Sequence, residues 1–404
     1  MKKSAEIIAS NEDLLTRILL PLPIKSLFRF KCVSTQWLSL ISSHYFSKNH
    51  TLRNPIPSSS GLILHHFPQL TLISLTENRH LGQSFGPLPV FDFLKIPTCF
   101  TYVTILSSCN GLLLCLLVAP PGNNVDLIYT VCNPATKKSN PLPRLENLAK
   151  KPIVNMDLAF NPQDSPNYKV ICIRHCSPPL GPDFEIQVFF SETGSWKTCQ
   201  GPFLSFRAGM LFQGGVYWNK RVHYFDSEDD DSLYFDVESE TVNSLQMPPV
   251  QSEVVTTKRS WYMGESGGYL HLVDIETNVT RDSSIVIYEL LDDGSGWVML
   301  FRVGLSALQS TFPEMVQYID ACSVLEGIYD GFKVGRYYTC SVLGLVRKED
   351  GRGLELILSV PNRIGCYDPA TGAWRVAAYF GDDRDRWGYN WHNVVCHADT
   401  LSPV

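Results

Sequence analysis

The sequence predicts a mainly β protein with a small N-terminal α module: three short helices followed by a β-propeller. Three observations predict it. Between about residues 10 and 50, apolar residues recur at helical spacing. From Gly61 onward, short apolar or β-branched runs alternate with turn residues and no long helical period appears. Two turn motifs then recur along that second region. At 404 residues the chain is too long for one ordinary compact core. It is therefore two domains, or one large closed β domain with an appendage.

The first helix carries Leu14, Leu15, Ile18, Leu19 and Leu22, spaced i, i+4, i+8 and i+1, i+5. Ser10 or Asn11 can cap its start, with Glu12 and Asp13 facing the positive end of the helix dipole. Pro21-Leu22-Pro23 ends it, and Pro23 can open the second helix, which carries Ile24, Leu27, Phe28 and Lys31 on one face. Ser34 can cap a third helix with Trp37, Leu38, Ile41 and Tyr45, running to about Tyr45. Three helices of this size bury little surface, so an excess of apolar residues among them points to a covering partner. Asn54-Pro55-Ile56-Pro57-Ser58-Ser59-Ser60 reads as a linker.

Beyond it, the runs Gly61–Leu64, Tyr168–Ile173, Phe184–Phe190, Gly215–Trp218, Ser284–Tyr288 and Leu354–Leu358 read as strands. Gly111–Ala119, bounded by Asn110 and Pro120-Pro121-Gly122, reads as a buried strand and is far shorter than the ~20 residues of a membrane span. One turn motif has the form apolar–Asp/Asn–x–x–Thr/Ser–Gly–Trp/apolar. It appears around Asn133, Ser191, Asp236, Asp292 and Asp368. The other is Gly-Gly-apolar-aromatic, at Gly214-Gly215 and Gly267-Gly268, with Asn110-Gly111 as a related form. They recur roughly every 44 to 76 residues, near the ~50-residue kelch-like period, and nominate about five or six blades. Radial repetition favours a propeller because it leaves few long strand edges exposed.

Composition narrows the function classes. Hydrophobic residues are 44% and charged residues 18%, as expected for a folded globular chain, and the net charge of −6 argues against nucleic acid held by a general basic field. Met1-Lys2-Lys3-Ser4 leads into Glu6, Glu12 and Asp13, with no apolar signal region, so a nuclear or cytoplasmic protein off the membrane is expected. The twelve cysteines include no CxxC pair, and many lie in apolar runs (Cys115, Cys132, Cys172, Cys340, Cys366), where they read as reduced, buried thiols. Cys172, His175 and Cys176 have no second ligand pair, so no metal is expected, and no cofactor motif stands out. Asn278-Val279-Thr280 is a formal glycosylation sequon, read as idle. The charged runs Glu228–Asp231 and Asp382–Arg386 read as solvated loops, with a rim charge that attracts a basic substrate as the sharper reading.

The stretch Asp13–Ile41 closely resembles the plant F-box consensus. The matching signals are Leu22-Pro23, Ser26-Leu27, Arg29-Phe30-Lys31-Cys32-Val33-Ser34, Trp37 and Leu40-Ile41, with Phe46 following. Two positions depart from it: Ser10-Asn11 where the family has Leu-Pro, and Thr35 where it has a basic residue. The rest of the chain is similar to the kelch-like propeller that accompanies plant F-boxes. That likeness rests on Ser108–Leu113, Cys132–Lys137, Leu142-Pro143, Phe160-Asn161-Pro162, Tyr168-Lys169-Val170 and Ala398–Pro403. The resemblance implies a flexible N-terminus over 1–9, an F-box over 10–50, a linker over 51–60 and a substrate-recognition propeller over 61–404. It further implies a non-catalytic subunit of an SCF-type ubiquitin ligase that binds a Skp-type adaptor, and through it cullin and RING subunits, and presents a target protein for ubiquitination. Leu14, Ile18, Leu22, Pro23, Leu27, Val33, Trp37, Leu40 and Ile41 are the expected adaptor-binding set. Singly, each apolar member reads as well as bundle core; together they are too many for so small a bundle to bury. The substrate-binding residues lie on loops that carry no shared pattern. The alternatives are a propeller enzyme with a central-channel site, or an F-box scaffold acting outside the ligase.

Overall fold

A computed structural model describes residues 11–54, 61–66, 69–75, 93–94, 102–118, 127–146, 151–176, 183–204, 214–225, 232–248, 258–277, 283–319, 335–348, 351, 353–379 and 394–404. Residues 1–9, most of the linker, both charged runs and the sequon at Asn278 lie outside the described residues. The chain forms two compact units, one of residues 1–72, 86–208 and 395–404 and the other of residues 73–85 and 209–394.

The first unit opens with helices α1 (Glu12–Leu19), α2 (Ile24–Phe30), α3 (Thr35–Ser42) and α4 (His44–Arg53). The sequence places the end of the third helix near Tyr45, but Ser43 turns extended (φ −68°, ψ 147°) and caps a fourth helix instead. Its hydroxyl accepts the Phe46 amide at 3.2 Å, satisfying one of the amides a helix start leaves unpaired.

Two four-stranded antiparallel meanders follow in the same unit. One is β3 (Tyr102–Cys109), β4 (Leu112–Val118), β5 (Ile128–Asn133) and β6 (Lys138–Pro141), and the other is β7 (Ile153–Ala159), β8 (Lys169–His175), β9 (Asp183–Phe190) and β10 (Ser195–Leu204). A third sheet has the order β2 (Gln69–Ser74), β1 (Gly61–His66), β25 (Val394–His397), so a strand from the last stretch of the chain pairs with the first strand. Ile63, Ile105, Leu113, Cys115 and Cys132 share one buried cluster.

The second unit repeats the meander three times: β11 (Val216–Trp218) to β14 (Thr241–Ser244), β15 (Lys258–Ser266) to β18 (Trp297–Gly304), and β21 (Ser341–Arg347) to β24 (Trp374–Tyr379). Strands β12 (Arg221–Phe225), β13 (Ser232–Asp236), β16 (Tyr269–Thr277), β17 (Ser284–Leu290), β22 (Leu354–Val360) and β23 (Arg363–Tyr367) fill their interiors. Helix α5 (Leu305–Thr311) and the β19 (Val316–Ile319)–β20 (Gly335–Tyr338) pair lie between the last two. Ile285, Ile287, Leu305, Leu356 and Leu358 belong to one buried cluster.

The recurring turn motif has a common physical basis. Asn133 and Asp236 end a third strand and Asp368 directly follows one, and the side-chain oxygen of each accepts two amides of the next turn. The distances are 3.0 and 3.2 Å, 3.1 and 2.9 Å, and 2.9 and 3.3 Å respectively. In the hairpins that follow the Ser191 and Asp292 turns, the tryptophan at the start of the fourth strand reaches the preceding sheet. Trp196 Nε1 donates to the Pro143 carbonyl at 2.9 Å, and Trp297 Nε1 donates to the Gln246 carbonyl at 2.8 Å. Both carbonyls lie just past the outer strand of the preceding meander, so in these two hairpins the indole clasps the sheet before it.

Candidate functional site

The helical module is built from local signals. Asn11 Oδ1 accepts the Leu14 amide at 3.0 Å and Ser34 Oγ accepts the Trp37 amide at 3.2 Å, which sets the starts of α1 and α3. The turn after α1 is tied to α4: the His50 imidazole Nε2 lies 2.9 Å from the Leu22 carbonyl, and Asn54 Nδ2 donates to the Leu20 carbonyl at 2.9 Å. Burial pushes the His50 pKa below its ordinary value, which keeps a neutral ring between the helices; the Leu22 carbonyl opposes this in part.

The interior is filled by Leu15, Leu19, Leu27, Leu40, Ile41 and Phe46, with Leu401 among them. Three of the nine residues expected to meet an adaptor, Leu27, Leu40 and Ile41, therefore sit inside the bundle, at 0%, 4% and 0% exposure. An i, i+4 pattern marks an apolar face without saying which of two such faces turns inward. Leu14 and Ile18, one helical turn apart, stay in solvent at 39% and 49% exposure, and Val33 at 58%. Pro23 is exposed, while Leu22 and Trp37 are half-buried. Trp37 rests edge-on against Phe30, with ring centroids 5.5 Å apart, which fixes its indole at the rim of the core. Leu38, at 47%, and Tyr45, at 69%, are also exposed and were not in the expected set. The helical pattern had grouped them with Trp37 and Ile41.

Beyond the bundle, an open cleft of about 420 Å³ lies in the first unit, lined by residues that include Arg144, Glu146, Lys151, Arg174, Glu185 and Trp196. The charges of Arg174, Lys151 and Glu185 are used internally. Buried Arg174 donates to the Glu146 carbonyl at 2.7 Å, to the Lys151 carbonyl at 3.0 Å and to Gln187 Oε1 at 3.1 Å, while Lys151 pairs with Glu185 at 2.6 Å. That saturation marks a structural rivet. Among the described residues, no group of three or more His, Cys, Asp or Glu side chains is placed to hold a metal, and no helix is long and apolar enough to cross a membrane.

Comparison with known proteins gives two family matches. Residues 11–49 match the F-box domain, and residues 63–296 match the F-box associated beta propeller domain. The second match is to that propeller family and not to the kelch repeat that the turn period suggests. F-box protein At5g07610 of Arabidopsis thaliana is 30% identical over 380 residues, covering 90% of this chain and 84% of that protein. Putative F-box protein At5g62660 of the same plant is 31% identical over 70% of this chain and 74% of that protein. Against putative F-box protein At4g38870, also from Arabidopsis thaliana, the chain is 29% identical and spans 60% of that protein's length. A chain whose helices form a capped F-box bundle and whose meanders match the accompanying propeller belongs to the F-box proteins that carry an F-box-associated β-propeller domain.

Proposed function

We propose that this protein is the substrate-recognition subunit of an SCF-type ubiquitin ligase. The F-box holds a Skp-type adaptor, and through it cullin and RING subunits, while the propeller holds a target protein. The chain performs no bond chemistry of its own; it raises the effective concentration of target lysines near the conjugating enzyme. One observation carries this reading: Leu14 and Ile18 stay in solvent on one face of α1 although the interior of the bundle is already filled. An i, i+4 apolar pair left exposed on so small a module is placed for a partner. Exposed Val33 and Pro23 and the half-buried rim residues Leu22 and Trp37 extend the available apolar surface. Leu27, Leu40 and Ile41 support it from within. A nuclear or cytoplasmic location belongs to the same proposal.

The test is affinity capture of the full chain co-expressed with a plant Skp-type adaptor and cullin. Adaptor and cullin are both expected in the eluate. Adaptor without cullin would reassign the protein to a scaffold outside the ligase, and loss of both would reject the proposal.

A further inference from the structure

Leu401 lies some 350 residues beyond the helices, yet it is 1% exposed and belongs to the F-box core with Leu15, Leu19, Leu27, Leu40, Ile41 and Phe46. The residues on either side of it are held by the first meander. Asn133, fully buried, donates from Nδ2 to the Thr400 carbonyl at 3.1 Å and to the Ser402 carbonyl at 2.8 Å. Alternation along the segment thus sends carbonyls 400 and 402 to the sheet and side chain 401 into the helices. Thr400 and Ser402 brace each other, their hydroxyls 2.7 Å apart and the Ser402 amide donating to Thr400 Oγ1 at 3.1 Å. Just upstream, Ser108 Oγ donates to the Cys396 carbonyl at 2.9 Å.

Two sequence features flagged as turn signals acquire a second role here. Asn133 uses its oxygen for its own turn, so the turn motif leaves the amide nitrogen free for the segment. Gly111 has φ +82°, and a Cβ at that position would stand 2.2 Å from Thr400 Cγ2 and 2.6 Å from the Ala398 carbonyl. The β3–β4 turn therefore approaches the segment as closely as backbone allows. On the helical side, the His397 ring and the Lys25 ammonium of α2 hold the Asp399 carboxyl below the usual carboxylate range.

We propose that residues 398–402 act as a strap that locks the F-box onto the first meander, with Leu401 as its positioning residue. An adaptor held by the F-box then stands in one fixed direction from the first meander. The strap rests on the adaptor-binding role only for its functional meaning; the lock itself is a property of the free chain. The filled interior of this small helical module includes Leu401 from the strap, and the same five residues fasten the module to the sheet.

The experiment uses the free full-length chain with spin labels on keto amino acids encoded at Lys48 in α4 and Glu192 in the β9–β10 turn. Pulsed dipolar spectroscopy reads the distance between them. Wild type is expected to give a single narrow distance. Asn133→Asp keeps the turn-capping oxygen, removes both amide donations and sets a carboxylate against two carbonyls; it is expected to lose the narrow peak. Leu401→Ala should do the same and Leu401→Met should restore the peak, since Met refills the volume. Amide exchange of α1 and α3, measured on the same samples, reports whether the bundle is folded. A broad wild-type distribution overturns the proposal, as does a peak unchanged in Asn133→Asp and Leu401→Ala. A peak lost only together with helix protection assigns the strap to folding alone and also overturns it. Adaptor binding is measured separately: failure of wild type to bind rejects the ligase role and leaves the strap standing.

Discussion

At the scale of single residues, the F-box divides by burial into side chains that build it and side chains that are offered outward. Leu27 is fully enclosed, so Leu27→Ala removes packing on every side and should cost about 2–5 kcal/mol. Leu14→Ala and Ile18→Ala remove groups already in water and should change stability by no more than about 0.5 kcal/mol. Urea titration of the three variants checks both. Buried histidines set a second residue-scale expectation. Burial, with Arg221 adding to it, pushes the His223 pKa down to about 3, against a small opposing effect of the Trp218 backbone. Burial and Arg347 push His271 down to about 4, with the Tyr269 backbone opposing. Both rings are neutral in the native state, whereas the unfolded chain protonates them near the ordinary value of 6.5. Acid therefore favours unfolding. The loss starts below pH 6.5 and reaches about 2 kcal/mol per histidine by pH 5. His223→Asn should flatten that pH dependence between 6.5 and 4, read as the urea midpoint against pH.

At the scale of elements, the turns carry more information than the strands. Alternating apolar runs were legible as strands because β4, β8, β9, β17 and β22 are short, apolar and flanked by turn residues. Asn133, Asp236 and Asp368 were legible as turn formers because an Asx side chain capping the next amides needs only local sequence. The reach of Trp196 to Pro143 was not legible, because it joins residues 53 apart in sequence. Trp196→Phe keeps an aromatic side chain but deletes the indole N–H and its second ring. Its expected cost is about 1–2 kcal/mol, from one hydrogen bond and the lost ring contact, seen as a lower thermal midpoint without loss of β signal. Gly111→Ala should be far more damaging, since it combines a positive φ with backbone and side-chain atoms already within 3 Å of the new Cβ. Soluble yield and thermal unfolding of that variant measure it.

At the scale of the whole molecule, the change from helices to strands near residue 60 was legible from the change of period, and the family matches cover residues 11–49 and 63–296. The site was legible in part. Helical spacing and the F-box resemblance marked the segment that matches the F-box domain, but spacing alone could not assign Leu14 and Ile18 outward and Leu27, Leu40 and Ile41 inward. What decides the matter is how the four helices pack, and one member of that packing, Leu401, comes from the opposite end of the sequence. The ligase role turns on whether the outward pair is a binding surface. The direct measurement is a calorimetric titration of a purified Skp-type adaptor into wild type, into Leu14→Asp/Ile18→Asp, and into Val298→Asp, an exposed position on β18 outside the F-box. Wild type and Val298→Asp are expected to bind alike, with the double variant weaker by roughly 30-fold, about 2 kcal/mol. Equal binding by all three, or none by wild type, would contradict the account.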